Sequence, residues 1–401
     1  MSQQPIQLTE YQDWRGNLAD EDSTFVLNEL SKRFVYRREV LNRKSIDVIN
    51  PKQWVGVMTL PSGRRLESRP KVPVRNLFYM LAAALDLRFS SIKFWDEVAE
   101  YDRLDDVLEF VASYFADLVD ERLKHGLYRA YVEQVENLPV VRGRINFAQD
   151  IRRNHALRHR TFCDFSEFTW DIPENQIIRQ VAHLLAGWGF RRRLRFRLSR
   201  IDSALAEVTP TRLPPRTIDG FNYTRHNADY SHLHQLCRLF LEGASLHEDV
   251  GAFEFQTFLL DMNKLFEQFV TKLLMSRAPD GVLVHPQLRV HLDEGKHVNM
   301  APDVVINVRG VPSLIADCKY KPLQSGEYKN HDIYQLLAYC TATNVNRGLL
   351  IYPQTGTDGR EDIRVNNTTI VITHLTLDLN KEGEAFIEEC EKFSETLFSH
   401  V

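Results

Sequence analysis

The sequence predicts an α/β protein, α+β overall, in which a small β-rich N-terminal region and a mainly helical domain precede a C-terminal domain of order αβββαβ. Three observations carry that prediction. The first 72 residues end in two extended runs joined by turn chemistry. Apolar residues then recur at helical spacing through most of 73–245. From 246 onward the pattern changes to extended apolar runs set between amphipathic helices. The regions are therefore expected at 1–72, 73–245 and 246–401 of a 401-residue chain.

Each element has its own signal. WVGVMTL (54–60) and RRLESRP (64–70) flank Pro61, Ser62 and Gly63, which reads as a hairpin, and Pro70 and Pro73 bracket a junction. VRNLFYMLAAALDL and DDVLEFVASYFADLVDERLKHGL carry helical periodicity, with Gly126 where a C-cap glycine belongs. WDIPENQIIRQVAHLLAGWG opens with Asp171 and Pro173 and closes at Gly187, and the Pro-rich 209–216 reads as a loop. A helix is expected over 253–278, followed by VLVHPQLRVHL, VNMAPDVVINV and VPSLIADCKYK as extended runs. HDIYQLLAYCTATN then reads as a helix, RGLLIYP and TTIVITHLTLDL as strands, and the end of the chain as an amphipathic helix.

Composition excludes several classes. With 43% hydrophobic and 26% charged residues the chain is an ordinary globular protein, not a disordered, collagen-like or membrane protein. The N-terminus lacks the basic and apolar pattern of a signal peptide, and no apolar run approaches the ~18 residues of a membrane span. Five scattered cysteines without a CxxC argue against a disulfide framework or a Cys-based zinc site, so a reducing cytoplasm is expected. The net charge of −4 is not that of a general polyanion binder. It conceals segregation, however: 96–121 carries −9 and 151–200 carries +7. The densest basic stretch, 191–200, suits either a phosphate-facing edge or a solvated face paired with the acidic segment.

The sharpest chemical signal is Pro302-Asp303 on one strand and Asp317-Cys318-Lys319 on the next. A tight hairpin centred on Gly310 places Asp303 opposite Asp317 to within a residue of register, and directly opposite side chains lie ~5 Å apart at Cβ. Lys319 shares the face of Asp317, whereas Cys318 points to the other face and suits a core role. Two facing carboxylates among Val304, Val305, Ile306, Leu314 and Ile315 repel one another unless a divalent cation lies between them. An oxygen-only ligand set suits Mg²⁺, and a neighbouring lysine can orient an attacking water or stabilise developing phosphate charge. The plain alternative is a pair of solvated strand-end acids, one of them paired with Lys319.

Glu267, on the helix before the sheet, is a candidate third metal carboxylate or a solvated acid at a helix edge. Gln335 and Tyr339 lie four apart and share a helix face opposite Ile333, Leu336, Leu337 and Cys340. They form either part of the site or an exposed polar face. His155 and His159 have zinc-ligand spacing but lack the glutamate of HExxH and suit solvent or phosphate contacts. No P-loop motif or GxSxG occurs, so the chain itself is expected to bind no nucleotide.

The PD–x13–DCK spacing resembles the PD-(D/E)xK nuclease signature, and the QxxxY spacing of Gln335 and Tyr339 resembles the subset related to the RecB nuclease domain. Beyond these, PVRNLFYMLAAALDL (73–87), VRGRINF (141–147), MNKLFEQFV (262–270), APDVVI (301–306), ADCKYK (316–321), YQLLAYC (334–340) and GLLIYP (348–353) together resemble the McrC family. That resemblance implies a Mg²⁺-dependent PD-(D/E)xK DNA endonuclease subunit of the McrBC modification-dependent (type IV) restriction system, with catalytic roles at Asp303, Asp317 and Lys319. It also implies that the helical domain docks on McrB, a hexameric AAA+ partner, and stimulates its GTP hydrolysis, and that the partner reads the methylated double-stranded DNA. Arg142, Arg144, Arg191, Arg192 and Arg193 are candidates for that stimulation or for DNA phosphate. A stand-alone repair or recombination nuclease and a non-catalytic regulator of an AAA+ motor are the rival readings.

Overall fold

The computed structural model describes residues 4–41, 44–86, 103–155, 159–244, 257–321, 330–353 and 362–401. They build two compact units, Met1–Val107 with Leu246–Val401, and Leu108–Ser245.

In the first unit the expected hairpin forms between Trp54–Thr59 and Arg65–Arg69, with Met58 opposite Leu66. Its turn is held by Asp22, whose carboxylate accepts from the Ser62 backbone N–H and hydroxyl. Ile6–Thr9 adds on one side in parallel, and Thr257–Asp261 adds on the other side antiparallel. This last strand corrects the expected helix over 253–278: the helix begins at Met262, and 253–256 lie outside the described residues. Thr257, Phe258, Leu259 and Leu260 are all buried, and a short apolar run fits a buried strand as well as a helix. Gly56 makes the pairing possible, because a Cβ there would lie 1.9 Å from the Phe258 carbonyl oxygen. Asp261 caps the helix by accepting from the Asn263 N–H at 3.0 Å.

The expected boundary at 72/73 and the two units divide the chain differently. The helix Val74–Ala84 lies in the first unit, where buried Asn76 donates its amide to the carbonyls of Leu379 at 2.7 Å and Lys381 at 2.6 Å.

The six-stranded sheet of this unit runs, in spatial order, Val282–Pro286, Val304–Val308, Val311–Cys318, Arg347–Pro353, Val371–Leu377 and Asp362–Arg364. The first three are antiparallel neighbours, and Val311–Cys318, Arg347–Pro353 and Val371–Leu377 are parallel. The helix Asn330–Thr343 connects the first parallel pair. Val305, Ile315 and Leu350 face this helix and pack on Leu336, Tyr339 and Cys340. The close approach depends on Gly348, since a Cβ there would lie 2.9 Å from Leu336.

The second unit holds helices Phe147–Arg153, Pro173–Ala186, Arg192–Ala204 and Tyr230–Ala244, together with most of Leu104–His125. It also holds an unexpected antiparallel sheet of Ala130–Leu138, Thr161–Thr169 and Arg144–Ile145. Ala130–Leu138 has no buried face, so its sequence carries no strong period-two apolar signal. The basic stretch is a helix that pairs with the acidic segment. Arg197 reaches both Asp117 and Asp120 at 2.6 Å, Arg200 reaches Asp120 at 2.8 Å, and Arg191 reaches Glu109 at 3.6 Å.

Replacing Gly348 with Val is expected to lower stability by about 1–3 kcal/mol through overpacking against Leu336 and Cys340. Urea unfolding of the variant beside the wild type measures it, and coincident transitions would show that the helix yields freely.

Candidate active site

The hairpin Val304–Val308/Val311–Cys318 pairs Val304 with Ala316, Val305 with Ile315 and Ile306 with Leu314. That register brings Asp303, the residue before the first strand, level with Asp317. An irregularity between Ile306 and Asn307 sets this register, because the pairing nearer the turn, Asn307 with Pro312 and Val308 with Val311, would by itself carry Asp303 to Ala316. The Asp303 carboxylate accepts from the Cys318 N–H at 2.7 Å, and its backbone carbonyl accepts from the Gln287 N–H at 3.0 Å. Asp317 is 1% exposed, and its Oδ2 lies 2.5 Å from the Lys319 ammonium. Cys318 is buried, as a core residue between them.

A chain of polar contacts extends from this pair. Lys319 donates to Gln335 Oε1 at 3.1 Å, and Gln335 Nε2 donates to the Tyr339 hydroxyl at 2.7 Å. Tyr339 is buried and Gln335 half-buried, so these two do not form an exposed polar face. Their spacing on Asn330–Thr343 lets the tyrosine fix the amide while the amide oxygen holds the lysine. Glu267, half-buried on Met262–Arg277, accepts from Gln287 Nε2 at 2.7 Å.

The electrostatics of the group are strained. Burial pushes the Asp303 carboxyl up to about 8, and repulsion from Asp317 and Glu267 adds to it. Burial likewise raises Asp317, against the pull of Lys319, and raises Glu267, with Asp317 contributing. Burial opposes the Lys319 charge, but Asp317 and Asp303 hold its ammonium above the ordinary lysine value.

Among the described residues, no group of three His, Cys, Asp or Glu side chains forms a ready cluster for a metal ion. The donor set nevertheless fits a hard divalent cation, because Asp303 and Asp317 offer oxygen ligands whose charges repel until a cation neutralises them. Mg²⁺ is commonly held by one or two carboxylates with water and substrate completing its shell.

Two participants carry little sequence signal. Gln287, with φ of 45°, touches both Asp303 and Glu267 from a bend inside what reads as one extended run. Asp332, 3% exposed in the first turn of its helix, accepts from Tyr352 at 3.1 Å and pairs with Lys321 at 2.5 Å. Only Lys321, two residues after Lys319 in the turn that follows the strand, hints at that second pair.

The remaining candidates lie in the second unit, described by itself. Arg142 stacks over Phe165 at 4.2 Å and pairs with Glu167 at 3.3 Å. Arg144 sits on its short strand, Arg191 pairs with Glu109, and Arg192 and Arg193 are exposed. Gly143 between the first two has φ of 71° and lies against the Asp164 carbonyl, which gives VRGR a structural reason for its glycine. His155 and His159 are exposed.

Fold and site together define a mixed α/β protein with a carboxylate pair (Asp317 buried, Asp303 half-buried), a lysine and a glutamine gathered at the end of a central hairpin. A family model described as McrBC 5-methylcytosine restriction system component matches residues 49–353, well over half of the chain. The chain belongs to this family, in its McrC branch. It is 22% identical over 341 residues to the type IV methyl-directed restriction enzyme EcoKMcrBC of Escherichia coli (strain K12), covering 80% of this chain and 97% of that protein. Its fold is similar to a chain in the solved half-complex of Thermococcus gammatolerans McrB AAA+ hexamers with bound McrC. There the TM-score is 0.59 at 17% identity, covering 99% of this chain and 100% of that one.

The raised Asp303 carboxyl means that the folded chain binds a proton more tightly than the unfolded chain. Its contribution to stability is present below the ordinary carboxylate value and is lost as pH rises toward 8. Without divalent metal, Asp303→Asn should therefore melt above wild type at pH 8, with the gap closing toward pH 4. Thermal melts across that range test it, and parallel curves would contradict the assignment.

Proposed function

We propose that this chain is the Mg²⁺-dependent DNA endonuclease subunit of a modification-dependent restriction complex, built on a PD-(D/E)xK, restriction-endonuclease-like domain. The observation that carries the reading is the contact chain Asp317–Lys319–Gln335–Tyr339 with Asp303 level with Asp317, which puts oxygen ligands beside an oriented ammonium. Asp303 and Asp317 would hold Mg²⁺, with Glu267 as the third carboxylate nearby. A bound Mg²⁺ would neutralise the pair and polarise the scissile phosphate.

The chain's own groups do the rest. Lys319, kept protonated by Asp317, presents positive charge where negative charge develops on the phosphate oxygens. Gln335 holds the lysine in a single direction, and Tyr339 fixes which end of the amide faces it. Preset dipoles and charges of this kind need no rearrangement as the bond breaks.

The partner reading follows the relatives. The solved Thermococcus gammatolerans assembly carries McrC on McrB AAA+ hexamers, and the Escherichia coli relative is methyl-directed. By analogy, an McrB-like AAA+ GTPase recruits this chain to methylated double-stranded DNA, binds the GTP itself and is stimulated in return. Arg144, Arg192 and Arg193 are exposed, whereas Arg142 and Arg191 already meet acids, which favours the first three of the five candidate arginines. Among the described residues no helix is long and apolar enough to cross a membrane. All five cysteines are free thiols, in keeping with a reducing cytoplasm.

Asp303→Ala and Lys319→Ala are each expected to abolish cleavage of methylated DNA in the presence of the GTPase partner, Mg²⁺ and GTP. Stimulation of GTP hydrolysis should remain within about twofold of wild type, because a loss confined to the chemical step leaves docking intact. Cleavage retained by either variant would remove that residue from the chemistry. Efficient cutting without partner or nucleotide would favour a stand-alone nuclease instead.

A further inference from the structure

The N-terminal region grips the residue next to the candidate catalytic lysine. The strand Ile6–Thr9 runs parallel to Arg65–Arg69, and at its end the Glu10 N–H donates to the Arg69 carbonyl at 3.0 Å. Tyr11 follows with φ of 59°, its N–H donating to the Lys52 carbonyl at 2.8 Å. These backbone contacts aim both side chains at Tyr320. Glu10 Oε1 accepts from the Tyr320 hydroxyl at 2.8 Å and from the Lys71 backbone N–H. The Tyr11 hydroxyl donates to the Tyr320 carbonyl at 2.7 Å. Tyr320 is thereby held at both ends, 4% exposed, with its ring 5.7 Å from that of Phe266, the residue before Glu267.

Such an arrangement is costly. Glu10 is fully buried, and burial pushes its carboxyl up to about 7. An apolar contact would close the same space with less desolvation, whereas a carboxylate shared by two donors fixes direction as well as distance. On its other side, the Lys319 N–H donates to the Ile351 carbonyl at 2.8 Å. The backbone that carries the lysine is therefore pinned to the sheet at one residue and to the N-terminal region at the next.

The geometry points to Glu10 and Tyr11 as positioning residues that fix Lys319 through Tyr320, so that the N-terminal region is part of the active-site framework. Both residues lie outside the family match, which begins at residue 49. The inference rests on Lys319 acting in cleavage, and the test separates the two claims. In the full chain, Glu10→Ala, Glu10→Gln and Tyr11→Phe are labelled with acetic anhydride, and acetylation of Lys319 is compared by mass spectrometry with that of exposed Lys392. The same proteins are assayed for cleavage with the GTPase partner, and for melting temperature and GTPase stimulation.

Glu10→Ala and Tyr11→Phe should each raise the relative labelling of Lys319 about threefold or more and lower kcat about tenfold, with KM for DNA and GTPase stimulation little changed. Glu10→Gln keeps an acceptor for both donors and should restore at least half of the wild-type values. Unchanged Lys319 labelling in both disruptive variants overturns the proposal, as does raised labelling with wild-type kcat. A rate loss in Glu10→Ala that tracks its melting temperature, with Tyr11→Phe neutral, overturns it as well. If the wild-type chain cuts nothing, the nuclease reading fails, and the labelling alone decides whether the clamp holds the lysine.

Discussion

Asp303 and Asp317 are brought level by a hairpin whose two strands are lined by Val304, Val305, Ile306, Leu314 and Ile315. Sheet pairing puts the carboxylates side by side whether or not their charges agree, because the register is fixed by the buried pairs Val304–Ala316, Val305–Ile315 and Ile306–Leu314, packed on both faces of the sheet. The fold thus holds a repulsion that its own hydrogen bonds only partly relieve, through the Cys318 N–H on Asp303 and the Lys319 ammonium on Asp317. A divalent cation would complete that relief, and the rest of the site is arranged around the same spot.

Neighbouring elements serve this one constraint. Asn330–Thr343 can approach the sheet because residue 348 has no side chain, and that approach delivers Gln335 to Lys319 with Tyr339 behind it. Met262–Arg277 brings Glu267, which Gln287 ties to the backbone of Asp303. Asp332 and half-buried Lys321 form a second ion pair beside the first, and Asp332 pushes Asp317 further from ionisation while favouring the charge on Lys319. Function in this account comes from carboxylates and cations held in a few directions by a stiff sheet.

Much of this was legible in sequence because it is local. The midpoint of Asp303 and Asp317 falls on Gly310, which locates the hairpin and its turn, while the one-residue shift at Ile306/Asn307 that brings the two acids level carries no sequence signal. Four-residue spacing suffices to put Gln335 and Tyr339 on one helix face, and segregated charge offered the pairing of 191–200 with the acidic helix as one of two readings. What stayed hidden is non-local or ambiguous in period. Thr257–Asp261 is apolar on both faces, so nothing in its pattern separates strand from helix until Gly56 is seen to receive it. Ala130–Leu138 has the opposite defect, with no buried face to betray it. The contacts of Glu10 and Tyr11 with Tyr320 span more than 300 positions, and an isolated glutamate followed by a tyrosine carries no motif.

The most direct test of the central claim asks whether the repelling pair holds a divalent cation. Calorimetric titration of the full chain with Mg²⁺, and with Mn²⁺ as a tighter-binding substitute, reads this without any cleavage assay. The account predicts one site per chain in the wild type, lost in Asp317→Asn and accompanied by a higher melting temperature when metal is added. Equal binding by wild type and Asp317→Asn, or none by either, would contradict it.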